Sequence, residues 1–170
     1  MRASGTTLGA LFCLLFFAAG FSLSAADGLA ELQAQFDRET SGVHKAKLLG
    51  KLGDAQFEEA RRAGKAGDYD AVGLTLEKYR DNVRAAVEAL KKQHPDAEKH
   101  SNGYRQLEIH VRKGVREVDD TLLVSPESHM PPLQIVRQDL AAMDDELLKM
   151  LFPRRPLDQR PGTPPAEKQP

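Results

Sequence analysis

The sequence predicts an all-α fold, and three observations predict it. Apolar residues recur at three- and four-residue steps over long segments, no segment alternates apolar with polar residues as a half-buried strand does, and no hairpin dipeptide separates two apolar runs. Three long amphipathic helices and one Gly/Ala-rich helix, joined by loops of roughly 5 to 10 residues, make an antiparallel helical bundle or a pair of stacked helical hairpins.

The plainest periodicity lies in DYDAVGLTLEKYRDNVRAAVEALKKQH, where Val72, Leu76, Tyr79, Val83, Val87 and Leu90 fall on one stripe. Asp68 supplies an N-cap, and His94-Pro95 stops the helix because the residue before proline avoids the helical region. The spacing therefore predicts a helix over 69–93. A second stripe joins Tyr104, Leu107, Val111, Val115, Val118 and Leu122, with Ser101 or Asn102 as cap and Ser125-Pro126 as terminator. The third runs from Pro132, a residue suited to a first helical turn, to Leu151, through Leu133, Val136, Leu140, Met143, Leu147 and Met150, and ends at Phe152-Pro153.

Upstream, VHKAKLLGKLGDAQFEEARRAG is helical too, but its inward arc is Ala46, Leu49, Gly53, Phe57, Ala60 and Gly64. Glycine inside a helix costs up to about 1 kcal/mol relative to alanine, so two on one arc imply either close approach of a neighbour or a weak, bent element. A short helix over Leu29 to Arg38, broken by Thr40-Ser41-Gly42, completes the helical domain at 27–152.

Both ends read differently. Arg2, the apolar run from Leu8 to Phe21 and the small residues Ser24 and Ala26 form a secretory signal peptide over 1–26, cleaved near Ala26. Its apolar core falls short of the roughly 20 residues that span a bilayer. The expected location is periplasmic or extracellular, with no stable membrane span in the mature chain. Residues 153–170 hold six of the ten prolines and are expected to form a disordered, Pro-rich tail.

Removing 1–26 takes Arg2 and no acid, leaving 23 Lys plus Arg against 25 Asp plus Glu, a formal net charge of −2. Near-neutral charge gives no global attraction to nucleic acid. Cys13, the single cysteine, leaves with the leader, which excludes disulfides, thiolate metal sites and cysteine nucleophiles from the mature chain.

The stretch YRQLEIHVRKGVREVDD concentrates ionisable groups. His110 sits on the flank of its stripe, where a hydrogen-bonded boundary histidine outweighs a metal ligand. Glu108 with Arg112, Lys113 with Glu117, and Arg116 with Asp120 are spaced for ion pairs along one self-neutralising helix face, with a weak anion patch at Arg105, Arg112 and Arg116 as the sharper reading. Adjacent acids such as Asp119-Asp120 diverge by about 100° around a helix and do not converge as acid and base partners must. No catalytic residue, cofactor site or metal set is assigned. The residues that would supply a soft metal site are His129 and Met130 with Met143 and Met150, and His110 beyond them, but the later methionines lie on the core stripe. His44, His94 and His100 lack partners at ligand spacing. Leu74 and Ile109 stand opposite their helices' stripes, so they mark a second contact layer, either the Gly/Ala-rich helix or a partner protein.

KLGDAQFEEARRAGKAGDYDAVGLTLEKYRDNVRAAVEAL resembles a single helical hairpin of the tetratricopeptide kind, with Ala66-Gly67-Asp68-Tyr69 as its turn. Together with YRQLEIHVRK and LLKMLFPRRP, the chain resembles small uncharacterised exported all-helical proteins of bacteria, a likeness spanning most of 43–156 that carries no functional residue. Leu74-Thr75-Leu76-Glu77-Lys78 has lysine where the LTxxQ motif of exported helical chaperones has glutamine. The expected function is a non-catalytic structural or protein-interaction module of the envelope, cofactor-free, with another envelope protein as partner; the alternative is a periplasmic metal-binding or sensor protein.

Overall fold

The computed structural model describes residues 23–153, which form five α-helices: α1 (Leu23–Arg38), α2 (Gly42–Ala66), α3 (Tyr69–Gln93), α4 (Ser101–Val124) and α5 (Met130–Leu151), with a 3-10 turn over Glu127–His129 before the last. No strand occurs among the described residues. The fold is all-α. The expected signal peptide lies outside the described residues except for 23–26, which belong to α1, and the expected tail lies outside them beyond Pro153.

Helix limits follow from local chemistry. Asp68 caps α3 by accepting from the Ala71 amide at 3.0 Å. Gly67, at φ 78°, turns the chain left-handed and closes α2, its N–H reaching Gly64 O at 3.0 Å while Asp68 N–H reaches Ala63 O at 3.0 Å. A side chain on the Cβ of any other residue would strain that conformation. Ser41 caps α2 by accepting from the His44 amide. Neither Ser101 nor Asn102 caps α4; His100 occupies the position without a side-chain bond, and Ser101 is already helical. The loops before α2 and α3 are tighter than expected because caps, not flexible linkers, make those turns.

Cross-helix contacts decide between the two expected architectures. Residue numbers rise together where Asp54 meets Lys113 and Arg61 meets Glu117, so α2 and α4 run parallel. They do so again where Arg84 meets Asp139 and Lys91 meets Glu146, so α3 and α5 run parallel. The hairpins α2–α3 and α4–α5 are therefore stacked, with ring order α2, α3, α5, α4; α3 and α4 touch sparsely across the ring. Leu49, Tyr79, Leu107, Val111, Leu140 and Leu147, all fully buried, form the middle of the core they share.

Close approach of helix backbones is written in glycine. A Cβ on Gly42 would meet the α3 backbone at Leu90 N, 2.8 Å away, and the Gly42 amide instead donates to the Gln93 side chain at 2.8 Å. Gln93 also donates to Thr40 O at 2.6 Å, tying the α1–α2 turn to the end of α3.

The first helix closes the open side of the first hairpin. Phe36 is buried there, Lys45 donates to its carbonyl at 2.7 Å, and the side-chain amides of Gln33 and Asn82 exchange hydrogen bonds at 3.0 and 2.9 Å. Asn82 further donates to Gln56 at 3.4 Å, so three helices share one amide network. Removing its centre strands two amides, at a cost of about 1 to 3 kcal/mol. Asn82→Ala should therefore destabilise the chain by that amount and speed amide exchange in α1 before the other helices; unchanged protection in α1 would remove the network from its docking.

Candidate functional site

The ionisable stretch of α4 folds so that its flank is not free. α2 lies across it, because Gly53 leaves space that a side chain would fill: a Cβ there would come within 2.3 Å of His110 Cε1 and 2.8 Å of Tyr79 Cε2. The Gly/Ala-rich arc is thus a close-approach surface, and α2 is an unbroken helix. His110, expected on a boundary, is only 9% exposed because that boundary is covered. Gly114 does the same for Tyr79, whose hydroxyl would lie 2.5 Å from an added Cβ.

The ring of His110 is held from both sides. Its Nε2 faces Gly50 O at 3.1 Å and Asp54 Oδ1 at 3.3 Å, both acceptors, so the ring proton sits on Nε2. The Tyr79 hydroxyl donates to His110 O at 3.0 Å and lies 3.0 Å from Nδ1. Phe57 stacks on His110 with ring centroids 5.7 Å apart and 11° between planes, and tilts against Tyr79 at 4.6 Å. Lys113 pairs with Asp54 at 2.7 Å.

The electrostatics follow burial. Loss of hydration holds the His110 ring below its ordinary pKa, an effect the Asp54 carboxylate partly offsets. Burial alone would raise Asp54, but Lys113 and His110 bring it below the ordinary carboxylate range. Tyr79 is pushed well above its ordinary value by burial, with the charges of Asp54 and Glu117 adding to the effect. A wholly buried phenol held protonated cannot act as a nucleophile, and the neutral imidazole has both nitrogens engaged. The constellation fastens α2, α3 and α4 together.

Of the three expected ion pairs along α4, one forms, one is redirected and one does not form. Glu108 does pair with Arg112, from a buried position. Lys113 turns to Asp54, however, and Glu117 to Arg61, both on α2, because the parallel neighbour is nearer than the next turn. Arg116 and Asp120 form no ion pair among the described residues.

The metal candidates are separated. His129, at the end of the 3-10 turn, packs against the start of α3, its Nε2 3.4 Å from Asp70 and its Nδ1 2.9 Å from the Ser128 hydroxyl, while His110 lies against α2. Met143 is in the core, as expected, and Met130 is half-buried at the head of α5. His94 and His100, which sequence spacing left unpartnered, are brought to 4.5 Å between ring centroids by the α3–α4 turn. No three His, Cys, Asp or Glu side chains converge as a metal set among the described residues. The Ser128, His129 and Asp70 series superficially matches a nucleophilic relay, but its Asp70 side chain is 90% exposed, where solvent screens the charge it would lend.

Leu74 and Ile109 are 69% and 63% exposed. The Gly/Ala-rich helix covers neither, which removes it as their second layer: its small-residue face is spent on Tyr79 and His110. Leu74 instead borders an open groove of about 410 Å³ among α1, α2 and α3, lined also by Leu29, Gln33, Gln56, Glu59 and Lys78. α3 and α4 occupy opposite corners of the ring, so Leu74 and Ile109 belong to different surfaces. Leu123, Val124, Ile135 and Phe152 are exposed as well; Leu123 was legible as an off-stripe residue, whereas Phe152 sits at a terminator whose exposure depends on the packing.

These features define a small helical protein of two stacked hairpins with a closing first helix, without a helix long and apolar enough to cross a membrane among the described residues. Comparison with protein families, curated proteins and solved structures finds no match.

Proposed function

We propose that the chain is an exported, non-catalytic protein-interaction module whose contacts are made by the backs of its helices. The observation that carries this reading is the exposure of Leu74 and Ile109, large apolar residues placed on the solvent faces of two otherwise well-patterned helices. Support comes also from the ionisable cluster at His110, which is consumed in joining helices and offers no free acid, base or nucleophile. The apolar N-terminal segment with its small-residue cleavage site supports an envelope address. The partner is another envelope protein.

Copurification from the native envelope, with crosslinking, tests the reading. Ile109→Asp and Leu74→Asp change exposed residues, so each should leave helicity and thermal stability within about 0.5 kcal/mol of the parent. One of them should abolish or strongly weaken recovery of the partner. Recovery of no partner by the parent, or of the same partner undiminished by both variants, would defeat the proposal.

A further inference from the structure

We propose that the outer face of α4 docks an acidic amphipathic helix of another protein; this rests on the interaction-module reading and specifies the partner's chemistry. Arg105 and Arg116 are the two described arginines with neither an ion pair nor a hydrogen bond among the described residues. The others are engaged: Arg61 with Glu58 and Glu117, Arg62 with Glu59, Arg80 and Arg84 with Asp139, Arg112 with Glu108, Arg137 with Asp119, and Arg38 with a carbonyl of its own helix. Both unpaired guanidiniums lie on one meridian of α4, with Ile109 between them and Leu123, 83% exposed, beyond. Arg105, Ile109, Arg112 and Arg116 repeat at four- and three-residue steps, and Leu123 follows seven residues on, past Asp119, which Arg137 neutralises; the stripe is about 27 Å long at 1.5 Å rise per residue.

The form of the stripe selects the occupant. It is one residue wide and has the 3.5-residue period with which a second helix keeps in register. Its apolar residues stand among three arginines, of which Arg112 is neutralised by Glu108 while Arg105 and Arg116 are not, so the complementary surface is apolar residues with carboxylates placed against those two. A second copy applying the same face would set arginine against arginine. Nor do the chain's own terminal segments supply the complement: residues 1–22 carry Arg2 and no acid, and residues 154–170 carry Arg154, Arg155, Arg160 and Lys168 against Asp158 and Glu167.

The probe is a fluorescein-labelled helical peptide of roughly 21 residues, three heptads, with leucine at the seam positions and glutamate beside them, compared with its lysine counterpart. Fluorescence anisotropy with the chain lacking residues 1–26 should give saturable binding of the glutamate peptide, at least about tenfold tighter than the lysine peptide. Arg105→Glu with Arg116→Glu should weaken it at least about tenfold, Ile109→Asp likewise, and raising salt from about 0.05 to 0.5 M should weaken the parent but not the charge-reversed variant. No saturable binding, equal binding of the two peptides, or indifference to the arginine changes would overturn the inference. So would cosedimentation with phosphatidylglycerol vesicles that the arginine changes abolish while peptide binding is absent, or sedimentation equilibrium showing a dimer that Ile109→Asp dissolves. Loss of the native envelope partner on Ile109→Asp but not on the arginine changes would leave the interaction module standing and its acidic partner wrong.

Discussion

Gly114→Ala is expected to destabilise the folded chain by about 3 kcal/mol, roughly 10 °C in Tm, although alanine is the better helix former. The added Cβ would lie 2.4 Å from Tyr79 Cε1, 2.5 Å from its hydroxyl and 2.8 Å from Cζ. That ring has no exposed surface and is packed against Phe57 and bonded to His110, so it cannot swing aside as the end of a flexible chain would. Gly53→Ala should do comparable harm, through His110 Cε1 and Tyr79 Cε2. Gly73 provides the opposite sign in the same kind of helix. A Cβ there meets nothing within 4 Å, so Gly73→Ala should stabilise by up to about 1 kcal/mol through backbone entropy alone. Chemical denaturation of the variants checks the contrast. Equal responses at Gly114 and Gly73 would mean that α4 is not tightly packed against Tyr79 of α3.

Acidification should weaken the fold through the same node. The His110 ring titrates in the unfolded chain near its ordinary value of 6.5, while burial lowers it in the folded chain. Between those two values the unfolded chain binds the proton that the folded chain refuses, so stability rises with pH across that window. The stability is fully present above about 6.5, is lost as the pH falls toward the lowered folded value, and changes no further below it through this group. Asp54, whose folded value lies below 3.8, adds a separate loss at much lower pH, as it is protonated and its pairing with Lys113 fails. His110→Gln should flatten the upper window and narrow the lower one only slightly, since Lys113 lowers Asp54 more than His110 does. Denaturation midpoints at pH 7.5 and 5.5 read the difference, and a parent chain as indifferent as the variant would show that burial does not govern this histidine.

What was legible in the residues can be argued from α3 and α4. Val72, Leu76, Tyr79, Val83, Val87 and Leu90 are all buried as their spacing requires, and α3 covers 69–93 as its caps require. Leu74 and Ile109 are exposed for the same geometric reason, applied to the other face. Ion pairing could not be read in this way. Lys113 has an acid four residues on along its own helix and chooses Asp54, fifty-nine positions earlier in the chain. Nothing along α4 reports which helix lies beside it, and competing pairs of similar small energy are settled by proximity alone.

By itself, then, the sequence determined the helices, their inward stripes and most of their ends, because periodicity, caps and prolines act within a few residues of one another. Tertiary structure decided that the hairpins stack with α2 parallel to α4, that glycine at 53 and 114 is room for His110 and Tyr79, and that two arginines on α4 are left unpaired. Those outcomes depend on contacts between residues from about twenty-five to about sixty positions apart, where distance in space and competition among partners choose, and no local rule along the chain encodes either.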